Sequence, residues 1–235
     1  ERGAGRLTGS LLLVSYFKPC RGHAGGLRLL DLYAEIRRLA PKIRMVLLAC
    51  EHPGVDWGFE GLDRIFDEIH GVTPERFVPG MIASLPATAG PIDFVDLQFH
   101  QSGAMIGACR ARWPGATIAF SPMESRIRSL AMGWHGDAGH ILDRLLSLRL
   151  GDLRSAWQEA SYLRRCDRAI LVSEPDLKAV ARLRERRLLH CVPTGLSEQE
   201  YRGQPRPTAQ LDGHVIVFAA YFGSQTNRQA LEWYC

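Results

Sequence analysis

At 235 residues, 46% hydrophobic and 23% charged, with a formal net charge of +4, the chain has the balance of a globular protein with a sizeable core. That composition excludes a disordered chain, and the longest apolar runs fall far short of a bilayer span. The arginines are scattered, with clusters at Arg164-Arg165 and Arg182 to Arg187 and no patch interleaved with aromatics. A solvated helix face and no nucleic-acid partner are therefore expected, while a peripheral contact with an anionic membrane surface stays open.

Leu11 to Phe17 is a nearly continuous apolar run, the pattern of a strand covered on both faces in a parallel sheet. Lys18-Pro19 ends it, and Gly22, Gly25 and Gly26 loosen the backbone before Leu27 to Leu39 takes up helical spacing. Such a loop presents backbone N–H groups at a helix N-terminus, where an anion is favoured. It equally reads as a tight turn, because Gly25-Gly26 lacks the third glycine of the dinucleotide fingerprint and no P-loop lysine follows. Ile43 to Cys50 is a second buried strand, so the opening segment is a βαβ unit.

Leu62, Ile65, Phe66 and Ile69 predict a short helix, with His70-Gly71-Val72 a short strand, and Thr73-Pro74-Glu75 opens a moderately helical stretch to Leu85. Ile92 to Phe99 reads as a strand with Asp93 and Asp96 near its ends and His100 just beyond. Ser102 to Trp113 predicts a helix and Thr117 to Phe120 a strand that ends in Ser121-Pro122-Met123-Glu124-Ser125. A long helical region runs from Gly139 through Arg165, with Gly151 as a junction. A strand at Arg168 to Val172, a helix at Glu174 to Arg187 and a strand at Leu188 to Val192 follow. Thr194 to Gly213 is polar and rich in Gly, Pro, Gln and Glu, the composition of a linker, after which Val215 to Phe222 restarts a buried strand. The alternation predicts an α/β fold, a doubly wound parallel sheet, with ligands beyond the carboxyl ends of the strands.

The cysteines Cys20, Cys50, Cys109, Cys166, Cys191 and Cys235 form no Cys-x-x-Cys pair and read as small core residues in a reducing, cytoplasmic compartment. Cys20 and His23 have a metal-like spacing, but no second pair accompanies them, so no metal is expected. The chain begins at Glu1 with no secretory signal and ends at Trp233-Tyr234-Cys235 in mid-pattern, as a piece of a longer protein would.

The run EASYLRRCDRAILVSEPD, from Glu159 to Asp176, together with Cys191-Val192-Pro193-Thr194-Gly195, resembles the GT-B glycosyltransferases of the group 1 (family 4) type. The restart VIVFAAYFGSQTNRQALEWY is similar to the opening of that family's second Rossmann-like domain, and His23-Ala24-Gly25-Gly26-Leu27-Arg28 resembles its glycine-pair loop. The resemblance implies residues 1–193 as a Rossmann-like acceptor-side domain, 194–213 as an interdomain linker and 214–235 as the start of a donor-binding domain. It also implies a glycosyltransferase that moves a sugar from a nucleotide-sugar donor to an acceptor hydroxyl on a glycan or a lipid-linked molecule. No cofactor is needed beyond that co-substrate, and the piece in hand would be inactive alone. A cytoplasmic location, extending to the inner face of a membrane, goes with it.

Within that frame Gly25 and Gly26 are the loop facing the donor phosphates or the acceptor, and otherwise a turn that lets the helix pack on the sheet. His100 is a candidate for proton transfer or acceptor binding, and otherwise a structural histidine at a strand end. Glu124 is a candidate to contact an acceptor hydroxyl, and otherwise caps the next helix. Ser121 stands where the family usually has a histidine, and Thr194 where it has an asparagine. Arg164, Arg165 and Asp167 read as a surface ion pair and turn, and Asp176 as part of a helix start. A non-catalytic sugar- or nucleotide-binding domain on the same scaffold is the alternative, and a nucleotide-sugar epimerase a third.

Overall fold

In a computed structural model, residues 8–22, 24–52, 61–86, 90–134, 150–195 and 231–232 are described. Seven strands form one sheet in the order β3-β2-β1-β4-β5-β6-β7: β1 Ser10–Ser15, β2 Arg44–Cys50, β3 Glu68–Val72, β4 Phe94–Gln98, β5 Thr117–Ser121, β6 Arg168–Leu171 and β7 Leu189–Cys191. Every pairing is parallel. Helices among the described residues include α1 Ala24–Leu39, α2 Gly80–Ser84, α3 Ile106–Arg112, α4 Arg126–Trp134, α5 Leu150–Arg165 and α6 Glu174–Val180.

The apolar runs explain the layering. β1 lies inside the sheet between β2 and β4, so successive residues need cover on alternate faces. Leu12 and Val14 join Val46, Leu48, Val95, Leu97, Ile118 and Phe120 under α2, α3, α5 and α6. Leu11 and Leu13 join Met45 and Leu47 under Leu29, Leu30 and Tyr33 of α1. Helices on both faces make this a doubly wound, Rossmann-like parallel sheet, as the alternation predicted. From β1 the chain winds outward through β2 and β3, then returns to place β4 on the other side of β1. The topological switch point is therefore the crevice beyond the ends of β1 and β4.

Several local expectations are corrected. Ile69 belongs to β3, not to a helix: a 3-10 turn at Leu62–Arg64 gives way to strand pairing with β2, and the Asp67 carboxylate, accepting from the Met45 N–H at 2.7 Å and from Arg37, holds the junction. Asp96 sits inside β4 and is buried, rather than near a strand end. The helix expected from Ser102 begins as a 3-10 turn at His100–Met105. The helix expected to reach Arg187 stops at Val180, and Arg184 instead donates to the carbonyls of Arg164 and Cys166 that close α5. Asp167 pairs with Arg110 at 2.8 Å and accepts from the Ile118 N–H, so its partner comes from α3 rather than from its neighbours.

Asp176 does open α6: Ser173 caps the helix by accepting from the Asp176 N–H and donating to its carboxylate. The chain divides into two compact units, Glu1–Gly195 and Leu196–Cys235, and the sheet belongs to the first. His23, residues 135–149 ahead of α5, and the restart at 215–222 lie outside the described residues.

Candidate functional site

A cavity of about 390 Å³ opens at the switch point, and five strand ends contribute to its wall. Phe17 follows β1, and Ala24 and Gly25 open α1; Phe99, His100 and Gln101 follow β4; Pro122, Met123, Glu124 and Arg126 follow β5; Val172 follows β6 and Thr194 follows β7. His100, Glu124 and Gly25, far apart in the chain, thus share one crevice. Gly26 does not line it. A Cβ at Gly26 would come within 2.8 Å of the Cys20 sulfur and 2.9 Å of the Lys18 carbonyl oxygen, so its missing side chain lets α1 sit against the loop that leaves β1.

Among the described residues the non-glycine positions with positive φ are Phe99, at 72°, and Met123, at 69°. Each stands directly before a sequence-predicted site residue, His100 and Glu124. Such a conformation costs about 1–3 kcal/mol and persists only where the surroundings over-determine it. At Phe99 they do: its N–H donates to the Ser121 carbonyl at 2.8 Å, Ser102 Oγ closes back on the Gln98 carbonyl at 2.6 Å, and the buried ring meets Phe17 at 4.9 Å between centroids.

His100 is half-buried, with its ring 5.7 Å from that of Tyr162. Burial lowers its pKa below the ordinary 6.5; a hydrogen bond with Gln158 opposes this, and the positive charge of Arg126 adds to the lowering. The imidazole is therefore neutral at pH 7, and its buried Nδ1 has no hydrogen-bond partner among the described residues. Glu124 and Arg126, exposed, line the same cavity from the segment after β5, the neighbouring strand.

No family model matches the chain, and no curated protein does. Solved structures do. UGT71G1 of Medicago truncatula, complexed with UDP-glucose, is 12% identical over 86% of this chain and 54% of its own, with a TM-score of 0.48. A ugt transferase from Siraitia grosvenorii in complex with UDP is 14% identical over 95% of this chain and 52% of its own, at 0.44. The N-terminal domain of trehalose-6-phosphate phosphatase from Candida albicans is 12% identical over 85% of this chain and 51% of that one, at 0.47. The chain spans about half the length of each.

Beneath the crevice lies a polar layer that the sequence did not announce. Ser15, Gln98 and Ser121 stand side by side across β1, β4 and β5, all buried. Two residues back, Asp96 accepts from Tyr33 Oη at 2.6 Å and from Gln98 Nε2 at 2.8 Å. Burial raises the Asp96 carboxyl, and burial together with the Asp96 charge raises the Tyr33 phenol well above its usual range. Arg28, 5% exposed and one turn below Gly25, donates to the Val192 carbonyl at 2.6 Å. Burial lowers its pKa, against the pull of Asp96. Only the spacing of Arg28 behind the glycine pair offered a sequence signal for this layer.

The chemistry available is a neutral base, an exposed carboxylate, an exposed guanidinium and a helix N-terminus around one crevice. Among the described residues no group of three or more His, Cys, Asp or Glu could hold a metal ion.

Proposed function

We propose that the crevice is the acceptor side of a sugar-transfer site, in which a nucleotide-sugar donor gives its sugar to an acceptor hydroxyl. The observation that supports this reading is the convergence of His100, Glu124 and Gly25 at the switch point, with the first two presented by strained residues. In the reaction the bond between the anomeric carbon and the donor phosphate breaks, the diphosphate leaving with the electron pair. A bond from the acceptor oxygen to that carbon forms, and the hydroxyl proton goes to a base. His100, neutral at pH 7, serves as that base. Glu124 accepts a hydrogen bond from an acceptor hydroxyl and orients it. The Gly25 end of α1 faces the developing diphosphate charge, with Gly26 letting the helix approach.

This reading takes residues 1–193 as the acceptor-side domain of a GT-B architecture, 194–213 as the linker and 214–235 as the opening of a donor-binding domain. The acceptor is a glycan or a lipid-linked molecule, met in the cytoplasm or at the inner face of a membrane. No helix among the described residues is long and apolar enough to cross a membrane.

The 235-residue chain alone is expected to bind acceptor without transferring sugar. A titration of the labelled chain with candidate glycans, followed by NMR, tests the site: signals of Gly25, His100 and Glu124 should shift together. Shifts confined to other faces overturn the assignment. In a longer parent protein, His100→Gln and Glu124→Gln should each lower kcat by roughly 10²–10⁴-fold. Glycan or nucleotide binding without turnover in that parent favours the non-catalytic binding domain instead.

A further inference from the structure

Glu159 lies on α5, 33 residues along the chain from Arg126, and its side chain is fully buried. Its carboxylate accepts from Ser125 Oγ at 2.8 Å and from the backbone N–H groups of Arg126 and Ile127. These amides are the first two of α4, which has no acidic residue of its own in that turn. Ser125 Oγ accepts from the third, the Arg128 N–H, at 3.2 Å. The unpaired donors that open a helix are thus satisfied by one serine and by one glutamate borrowed from another helix, a capping box assembled across the fold.

The residues so clamped continue directly from Met123 and Glu124, so the strained turn is pinned at its far end by a buried hydrogen-bond cluster. Arg128 adds a contact at 3.4 Å to Asp176 of α6. Neighbouring Gln158 on α5 bonds His100, and Tyr162, one turn on, meets its ring. α5 therefore contacts both His100 and the start of α4.

We propose that Glu159 is a positioning residue: by clamping the start of α4 it holds Glu124 and Arg126 at the crevice that His100 also lines. This rests on the reading of the crevice as the functional site, but its test needs no substrate, so failure of sugar transfer leaves it standing.

The test follows the His100 imidazole signals against pH, together with amide hydrogen exchange at Arg126 and Ile127, in the labelled chain. Burial raises the Glu159 carboxyl against the hydrogen bonds it accepts; whatever negative charge Glu159→Ala removes by itself lowers the His100 pKa, whereas release of Arg126 removes a nearby positive charge and raises it. The opposite signs separate the two effects. The expected result is an upward shift of about half a pH unit, with exchange at both amides faster by on the order of tenfold. Arg126→Ala should raise His100 in the same way, and adding Glu159→Ala to it should give no further rise. An unchanged or lowered His100 titration, or unchanged exchange, overturns the proposal even if the melting midpoint falls. Should Glu159→Ala fail to fold, Glu159→Gln keeps the volume and one acceptor oxygen, and the same two readings decide.

Discussion

Met123 and Phe99 carry backbone conformations that side chains resist, and the two differ in what holds them. Phe99 is buried and ring-packed, whereas Met123 is only partly buried. Met123→Gly relieves about 1–2 kcal/mol of left-handed strain but gives the unfolded chain more freedom, worth about 0.4–1 kcal/mol, and loses side-chain contacts. Its urea midpoint should therefore stay close to the parent's. Met123→Val keeps the strain and adds a branched Cβ, and should cost about 1–2 kcal/mol by the same measurement. His100 gives a pH dependence of known sign. Its pKa is lowered on folding, so the unfolded chain binds the proton more readily. Its contribution to stability is full above the ordinary value of 6.5 and is lost as pH falls through that value toward the lowered one. Urea midpoints at pH 7.5 and 5.0 should show this loss, and His100→Gln should shrink it.

At the scale of elements, two glycines decide how helices dock. Gly26→Val drives a branched side chain against the Lys18 carbonyl, a backbone atom with little room to yield, and should cost about 1–3 kcal/mol in thermal melting. The same clash should loosen α1 where it meets the loop after β1, read as faster amide hydrogen exchange in the first turn of α1. At Gly103, in the turn after β4, a Cβ would lie 2.2 Å from the Tyr162 ring. Gly103→Ala must push that ring, which also borders His100 and Phe120, so it should lower both the melting midpoint and the integrity of the His100 signals. The strands were legible to the degree that they are buried. Leu11 to Val14 and Met45 to Cys50 have cover on both faces and announce themselves as apolar runs. β3, with the sequence EIHGV, is an edge strand with every other residue exposed, and its apolar residues fitted a helix equally well. His100 was singled out by its strand end and Glu124 by the family resemblance of the segment Ser121 to Ser125, and both line the crevice because strand ends build the clefts of such sheets. Glu159 was not, since nothing local distinguishes a glutamate that caps another helix from one facing water.

For the molecule as a whole, the order of strands in the sheet sets an order of events in its making. β1 finds β2 soon after synthesis, but its other edge is closed only by β4, through Leu12↔Val95 and the clamp of Ser10 onto Asp93. At about 5–20 residues added per second, the Leu11 to Val14 run waits on the order of several seconds with half its hydrogen-bonding groups unpaired. From β4 onward each new strand pairs with the one made just before it, so the remainder of the sheet grows at a single advancing edge. Nascent chains arrested on the ribosome before Phe94 should therefore be held by chaperones or aggregate on release, while those arrested well past Ser121 should resist added protease over the region of β1 and β4.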